Sequence, residues 1–349
     1  MKHKIAQTIT AVAVLGITTV GALTPAIAVS HDTGLFGSTD PTYDGVYRQS
    51  LAILALQPLN KVPAESVTWL AGQQCLDGSF EEYRNSIRTA CAQPDPAKFT
   101  GADSNATALG AMALRIVKNS TAADKAIAVL LTKQNKDGGW GYTLGGESDV
   151  NSTGLVLAAL NSAPKTSALR NAGNSARGYL TASQIPCTGA GTFGLPYQPN
   201  GKADNLASAQ ALVGIAGTLP ANKPTAYASV TKTSCKSALV NKVATYLSQT
   251  LVASKGALKS ALDPKQTDWN STASAVIGLA SSKQGKPGLD AGLAQLQSNV
   301  VEYTGTGAKF KAAAGSGLIM IAGLTGKNPQ AFGSQKSDLV ANLLTSITK

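Results

Sequence analysis

This 349-residue chain reads as an all-α protein, an (α/α)6 toroid or barrel of six inner and six outer helices. Three observations predict it. One helix opening is written four times, helices of a second type alternate with it, and no segment shows a convincing strand alternation. The copies are Asp103-Ser104-Asn105-Ala106-Thr107, Asp149-Val150-Asn151-Ser152-Thr153, Asp268-Trp269-Asn270-Ser271-Thr272 and the looser Asp204-Asn205-Leu206-Ala207-Ser208. Each runs through Ala, Gly and Leu to Leu114, Leu160, Leu279 or Ile215, about three helical turns on.

The repeated type covers 45–56, 103–115, 149–161, 204–217, 268–281 and 311–324. Its small residues let helices approach closely, which suits the inner ring. The second type, richer in Lys, Gln and Asn on one face, covers 63–74, 121–135, 168–184, 236–250, 287–299 and 336–348 and suits an outer layer. Gly45 and Ala313 fall where the first and last inner helices should have the Asp, a departure expected of terminal repeats. An Asp at a helix start accepts orphan N–H groups and suits the positive dipole end, worth about 1 kcal/mol. A cap is needed in every repeat, whereas a catalytic group is needed once or twice, so recurrence favours capping for Asp103, Asp149, Asp204 and Asp268.

Lys2 and Lys4 precede an apolar run from Ile5 to Leu23, and Ala26-Ile27-Ala28 has the small-x-small form of a cleavage site. Residues 1–28 are read as a secretory signal, 29–43 as an amino-terminal extension and 44–349 as one toroid domain. No second long apolar run follows, so a secreted product without a membrane span, acting as a monomer, is expected. A composition that is 43% hydrophobic excludes a disordered chain. The net charge of +11 comes from few acids rather than lysine clusters, since Lys118, Lys125, Lys133 and Lys136 are spread out. Nucleic acid is therefore not an expected partner, while an anionic envelope component is compatible with the charge.

Four cysteines in an exported chain suggest two disulfides. Three pairings are open. Placement favours Cys75 with Cys91, in one interhelical segment, and Cys187 with Cys235, on either side of one helix. With no CxxC and both histidines, His3 and His31, at or before the mature amino terminus, neither a metal nor another cofactor is expected.

Outer helices end in glutamine followed by a glycine turn: Gln73-Gln74-Cys75-Leu76-Asp77-Gly78-Ser79-Phe80, Gln134-Asn135-Lys136-Asp137-Gly138-Gly139-Trp140-Gly141, and a degraded copy from Gln184 to Gly191-Thr192-Phe193-Gly194. Here the chain resembles the prenyltransferase and squalene-cyclase superfamily of α/α toroids, with its Gln-x-x-Asp-Gly-x-Trp/Phe repeat, over about 44–324. The resemblance implies that the motif is structural and ties one helix end to the next pair. The chemistry of those relatives is not carried over. Asp95, within Gln93-Pro94-Asp95-Pro96, lacks the companion carboxylates of a cyclase acid. No His follows His31 to hold a prenyltransferase zinc, and Gly72-Gln73-Gln74-Cys75 has the wrong order for a thioester. Asp149 and Asp204 are the nearest thing to a hydrolytic carboxylate pair, yet they look like the repeated caps.

The expected function is therefore ligand binding without catalysis, at the mouth where inner-helix amino termini converge. The alternative is an extracellular hydrolase, lyase or cyclase acting on a glycan or isoprenoid. The residues placed at that mouth are Asp103, Tyr142, Asp149, Asn151, Tyr197, Asp204, Asp268, Trp269, Asn270, Tyr303, Lys309 and Phe310, with Phe193 and Lys311 nearby. Aromatic rings among a few polar groups suit a small molecule, a glycan or an envelope component. Trp269 and Phe310 have a second reading, as plugs of the barrel.

Overall fold

In the computed structural model the described residues are 33–187, 192–220, 226–228, 233–261 and 263–349. The signal segment lies outside them. Thirteen α-helices occur among the described residues, with isolated β-bridges in place of any sheet. The inner helices are α1 (Gly45–Leu56), α3 (Ser104–Ile116), α5 (Val150–Ser162), α7 (Asn205–Ala216), α9 (Trp269–Ser282) and α12 (Ala312–Thr325). The outer ones are α2 (Ala64–Gln73), α4 (Ser120–Thr132), α6 (Ser167–Ala182), α8 (Leu239–Ala253), α10 (Lys286–Ser298) and α13 (Leu339–Thr345). A short α11 (Val300–Thr304), which periodicity missed, follows α10. Helix α8 starts and ends three residues later than expected.

Each inner helix packs on the next, and α12 returns to α1, so the six-fold ring closes. Small residues set the spacing. A Cβ on Gly214 of α7 would lie 2.1 Å from the Gly154 carbonyl oxygen of α5, so these two backbones touch directly.

The four repeated openings make one clip. Asp103, Asp149, Asp204 and Asp268 are N-caps, each accepting from backbone N–H groups of its first turn, with Ser152 and Ser271 hydroxyls also donating to Asp149 and Asp268. The hydroxyl four residues after the cap accepts a backbone N–H from the loop before it: Thr107 from Phe80, Thr153 from Trp140, Ser208 from Leu195 and Thr272 from Leu258, at 2.9–3.0 Å. Each Asp N–H donates back to the carbonyl of that same loop residue. Leu195 therefore occupies the place of Trp140 in the third repeat. This corrects the alignment that put Phe193 there. At the last inner helix the cap position is held by Lys311, two residues before Ala313, which was expected to replace the Asp.

The motif glutamines act as ties. Gln74 Nε2 donates to the Gly78 and Ala122 carbonyls, and Gln134 Nε2 to those of Gly138 and Ala172, joining each turn to the next outer helix at 2.8–2.9 Å. Gly138 has φ +91°, and a Cβ there would stand 2.5 Å from the Ser175 carbonyl oxygen, so glycine is required twice over. Trp140 Nε1 donates to the Leu130 carbonyl at 2.8 Å and the ring is fully buried.

One such turn is assembled from both chain ends. Gly34 N–H donates to the Thr348 carbonyl, Thr348 N–H to that of Leu35, and Gly37 N–H to that of Ser346. Gln49 on α1 completes it, donating to the Gly34 and Ser66 carbonyls and accepting from Phe36 N–H. The amino-terminal extension is thus the turn between α13 and α1. Both expected disulfides are present, Cys75 to Cys91 and Cys187 to Cys235. No helix among the described residues is long and apolar enough to cross a membrane.

Candidate functional site at the amino-terminal mouth of the ring

The clip register determines which side chains face the ring axis. With about 100° per residue, the position two after each cap lies some 200° from the clip hydroxyl and thus opposite it. Those positions hold Asn105, Asn151, Leu206, Asn270 and Ala313, and in α1, whose cap is Asp44 but whose Gly45 is in register with Asp103, the matching residue is Tyr47. Loop residues two after each clip residue form a second tier. The Val46, Ser104 and Val150 N–H groups donate to the carbonyls of Glu82, Tyr142 and Tyr197, which makes those three equivalent.

One turn below the first tier, the Gln210 amide on α7 lies near enough to the Tyr47 phenol on α1 to act on its proton. The Tyr303 hydroxyl lies 4.0 Å from where a Cβ would stand on Gly317, whose lack of a side chain admits it. Tyr47 also acts on Tyr303, so Tyr47, Gln210 and Tyr303 gather below the axial tier. The opposite end of the barrel is covered by the chain after α7. Thr218 Oγ1 donates to Met112 Sδ on α3, Leu219 is buried, and the Tyr227 hydroxyl donates to the Leu324 carbonyl at the end of α12. A shallow cleft of about 290 Å³ at that end, lined by Gln57, Asn60, Val62, Ile116, Val117 and Lys118, includes none of the expected site residues.

This end of the ring gathers acids in a basic chain. Burial holds the carboxyls of Asp103 and Asp149 up at about 7, against the pull of the N–H groups they cap. Glu82 is raised to about 8 by burial and by Asp103 and Asp44. Tyr47 is pushed up to about 12 by burial and the Asp103 charge, and Tyr303 and Tyr197 are raised as well, again chiefly by burial. Three amide oxygens in this region, Asn105 Oδ1, Asn151 Oδ1 and Gln210 Oε1, are buried and have no hydrogen-bond partner on the protein. Asn105 and Gln210 are only 7% and 9% exposed.

The structure distributes the expected site residues as follows. Asp103, Asp149, Asp204 and Asp268 are caps around the rim, and Asn151 and Asn270 are on the axial tier. Tyr142 and Tyr197 are half-buried in the loop tier, Tyr142 beside Phe99 with ring centroids 6.4 Å apart. Trp269 is one position off the axial tier and donates through Nε1 to Glu302 on α11. Phe310 is 3% exposed and its ring covers Gly315, four residues after Lys311, on the clip face of α12. Lys309 and Lys311 are exposed. Phe310 and Trp269 thus pack around the rim, whereas the buried Tyr303 reaches toward Gly317 and Tyr47. Sequence reasoning missed Tyr47, Glu82, Asn105 and Gln210. The signal for them was register, two residues after Gly45, Phe80 and Asp103 and six after Asp204.

No family model and no curated protein matches the chain. Solved structures do match. An ent-copalyl diphosphate synthase from Streptomyces platensis aligns with TM-score 0.52 and 15% identity over 80% of this chain and 50% of its own, so this chain spans about half of that enzyme. Two single-substitution variants of the type II terpene cyclase MstE from Scytonema align at TM-score 0.50. One is an apo form with 11% identity, covering 80% of this chain and 87% of that one. The other is a complex with geranylgeranyl dihydroxybenzoate, with 10% identity over 84% and 89%. The fold is the α/α toroid of the prenyltransferase and terpene-cyclase type.

Proposed function

We propose that this protein is a secreted, monomeric carrier or interaction protein that holds a small molecule in the amino-terminal mouth of its ring without transforming it. The observation that carries this reading is the set of buried, unpartnered amide oxygens on α3, α5 and α7, that of Gln210 near the Tyr47 phenol. Such groups are costly unless something completes their hydrogen bonds, by about 1–3 kcal/mol each. The charged groups nearest the mouth, Asp103 and Asp149, are already engaged as helix caps, as a binding scaffold allows. Two disulfides and the apolar leader read from Ile5 to Leu23 support an extracellular setting.

A second reading rests on Glu82. This carboxyl retains its proton near neutral pH and stands close to Asp103, a pairing that suits general acid chemistry in a hydrolase, lyase or cyclase. One experiment separates the two. The purified protein is incubated with an extract of spent growth medium, desalted, and the retained and unretained compounds are compared by mass. Binding predicts a compound enriched with its mass unchanged. A compound consumed with a new product appearing, and abolished by Glu82→Gln, would establish the enzyme instead.

A further inference from the structure

We infer that the ligand class of this mouth is an uncharged, polyhydroxylated molecule, a small sugar or polyol; this rests on the binding reading above. The first observation is which positions are left over once the fold is satisfied. In each repeat the cap Asp and the clip Thr or Ser are used by the architecture, and the position two after the cap is not. Yet Asn recurs there, as Asn105, Asn151 and Asn270, on three of the six inner helices. Asparagine is a weak helix former and gains nothing from facing an axis unless it has a partner there. Asn105 and Asn151 leave their carbonyl oxygens without one, as does Gln210 one turn below Leu206.

The second observation is the kind of charge present. The charges acting on Glu82, Tyr47, Tyr303 and Tyr197 come from Asp44, Asp103, Asp149, Asp204 and Asp268, all acids, with the neighbouring phenols. A diphosphate or carboxylate ligand would meet like charge from whichever of these acids is ionised, which opposes binding. An apolar chain would leave the Asn105, Asn151 and Gln210 oxygens unpaired. A cation would suit the acids while they are ionised, but Asp103 and Asp149 are held up near neutrality and Glu82 above it, which weakens that attraction.

A hydroxyl both donates and accepts, so it completes an amide presented by either end and a carboxyl in either protonation state. Several hydroxyls on a rigid ring do this for Asn105, Asn151 and Gln210 at once, while the ring's C–H face rests on tyrosine. The amides, acids and phenols gathered at the mouth are the complement of a sugar.

The test uses saturation-transfer NMR on the intact protein, with glucose, galactose, arabinose and N-acetylglucosamine as the sugar probes. Geranylgeraniol, pyrophosphate and tetramethylammonium are the competitors. At least one sugar is expected to give a saturable signal that the three competitors do not displace, and its affinity is expected to fall at least tenfold in Asn151→Leu and in Gln210→Met. Circular dichroism of both variants confirms that they fold, and the surface change Lys118→Gln serves as a control that leaves binding intact. If a competitor binds, is lost in the same two variants, and no sugar binds, the mouth is a site but the class is wrong. If no probe binds, the mass of any ligand retained by native protein decides. A non-carbohydrate mass overturns the sugar assignment alone, and an absent one overturns the binding reading with it.

Discussion

Tyr47 and Gln210 stand on α1 and α7, third neighbours in the six-helix ring, and the Gln210 amide lies near enough to the Tyr47 phenol to act on its proton. The worth of this pair is measurable. Tyr47→Phe is expected to destabilise the fold by about 1 kcal/mol, because the Gln210 amide then loses its phenol neighbour in a buried site. In a Gln210→Met background the same change should cost much less. A double-mutant cycle by urea denaturation checks this through its coupling energy.

Stability should depend on pH in an unusual direction. Asp103 and Asp149 are held up to about 7 in the folded chain, whereas an unfolded Asp titrates near 4. The folded state therefore binds these protons more tightly. Their favourable contribution is complete below about pH 4 and is lost as pH rises through about 7. The melting temperature is expected to fall across that interval and, because Glu82 is raised to about 8, to level off only above that pH. Asp149→Asn keeps an amide oxygen for the cap and should flatten the slope, which calorimetry at a series of pH values will show.

Gly138 and Gly145 both have positive φ but differ in their surroundings. A Cβ on Gly138 would strike the Ser175 backbone, while one on Gly145 would meet nothing within 4 Å. Gly138→Ala should therefore cost at least about 2 kcal/mol more than Gly145→Ala, since φ strain is common to both and the clash belongs to one. Thermal melts of the two variants make the comparison.

The turn built from Gly34, Leu35, Ser346 and Thr348 should behave as the latch of the ring. Deleting residues 346–349 removes the partners of Gly34 and Gly37 and is expected to lower the melting temperature. Hydrogen exchange should rise first in α1 and α13, ahead of α5 and α7. Uniform loss of protection around the ring would show that closure does not depend on this turn.

The inner helices were legible in sequence because their Asp and Thr residues serve local bonds, a cap and a clip, that every repeat must remake. The turn motifs were legible for the same reason, as Gln74 and Gln134 show. The third repeat was misaligned because Leu195 fills by bulk the place that Trp140 fills by bulk and an N–H bond, so the aromatic Phe193 drew attention from the true position. Helix α11 was missed because it spans little more than one turn. The cluster of Tyr47, Glu82 and Gln210 was the least legible part. Tyr47, Glu82 and Gln210 each occur once in the pattern, and only closure of the ring brings residues from α1, α7 and the loop after α2 to one axis.

Native mass spectrometry of the protein purified from its own secretion medium tests the central claim most directly. The wild type is expected to retain a small molecule as a discrete added mass, and the Asn151→Leu, Gln210→Met double variant, folded to the same helical content, to fly at its bare polypeptide mass. A wild type that is bare under conditions gentle enough to preserve noncovalent complexes, or a variant that retains the same mass, would contradict a binding site at this mouth.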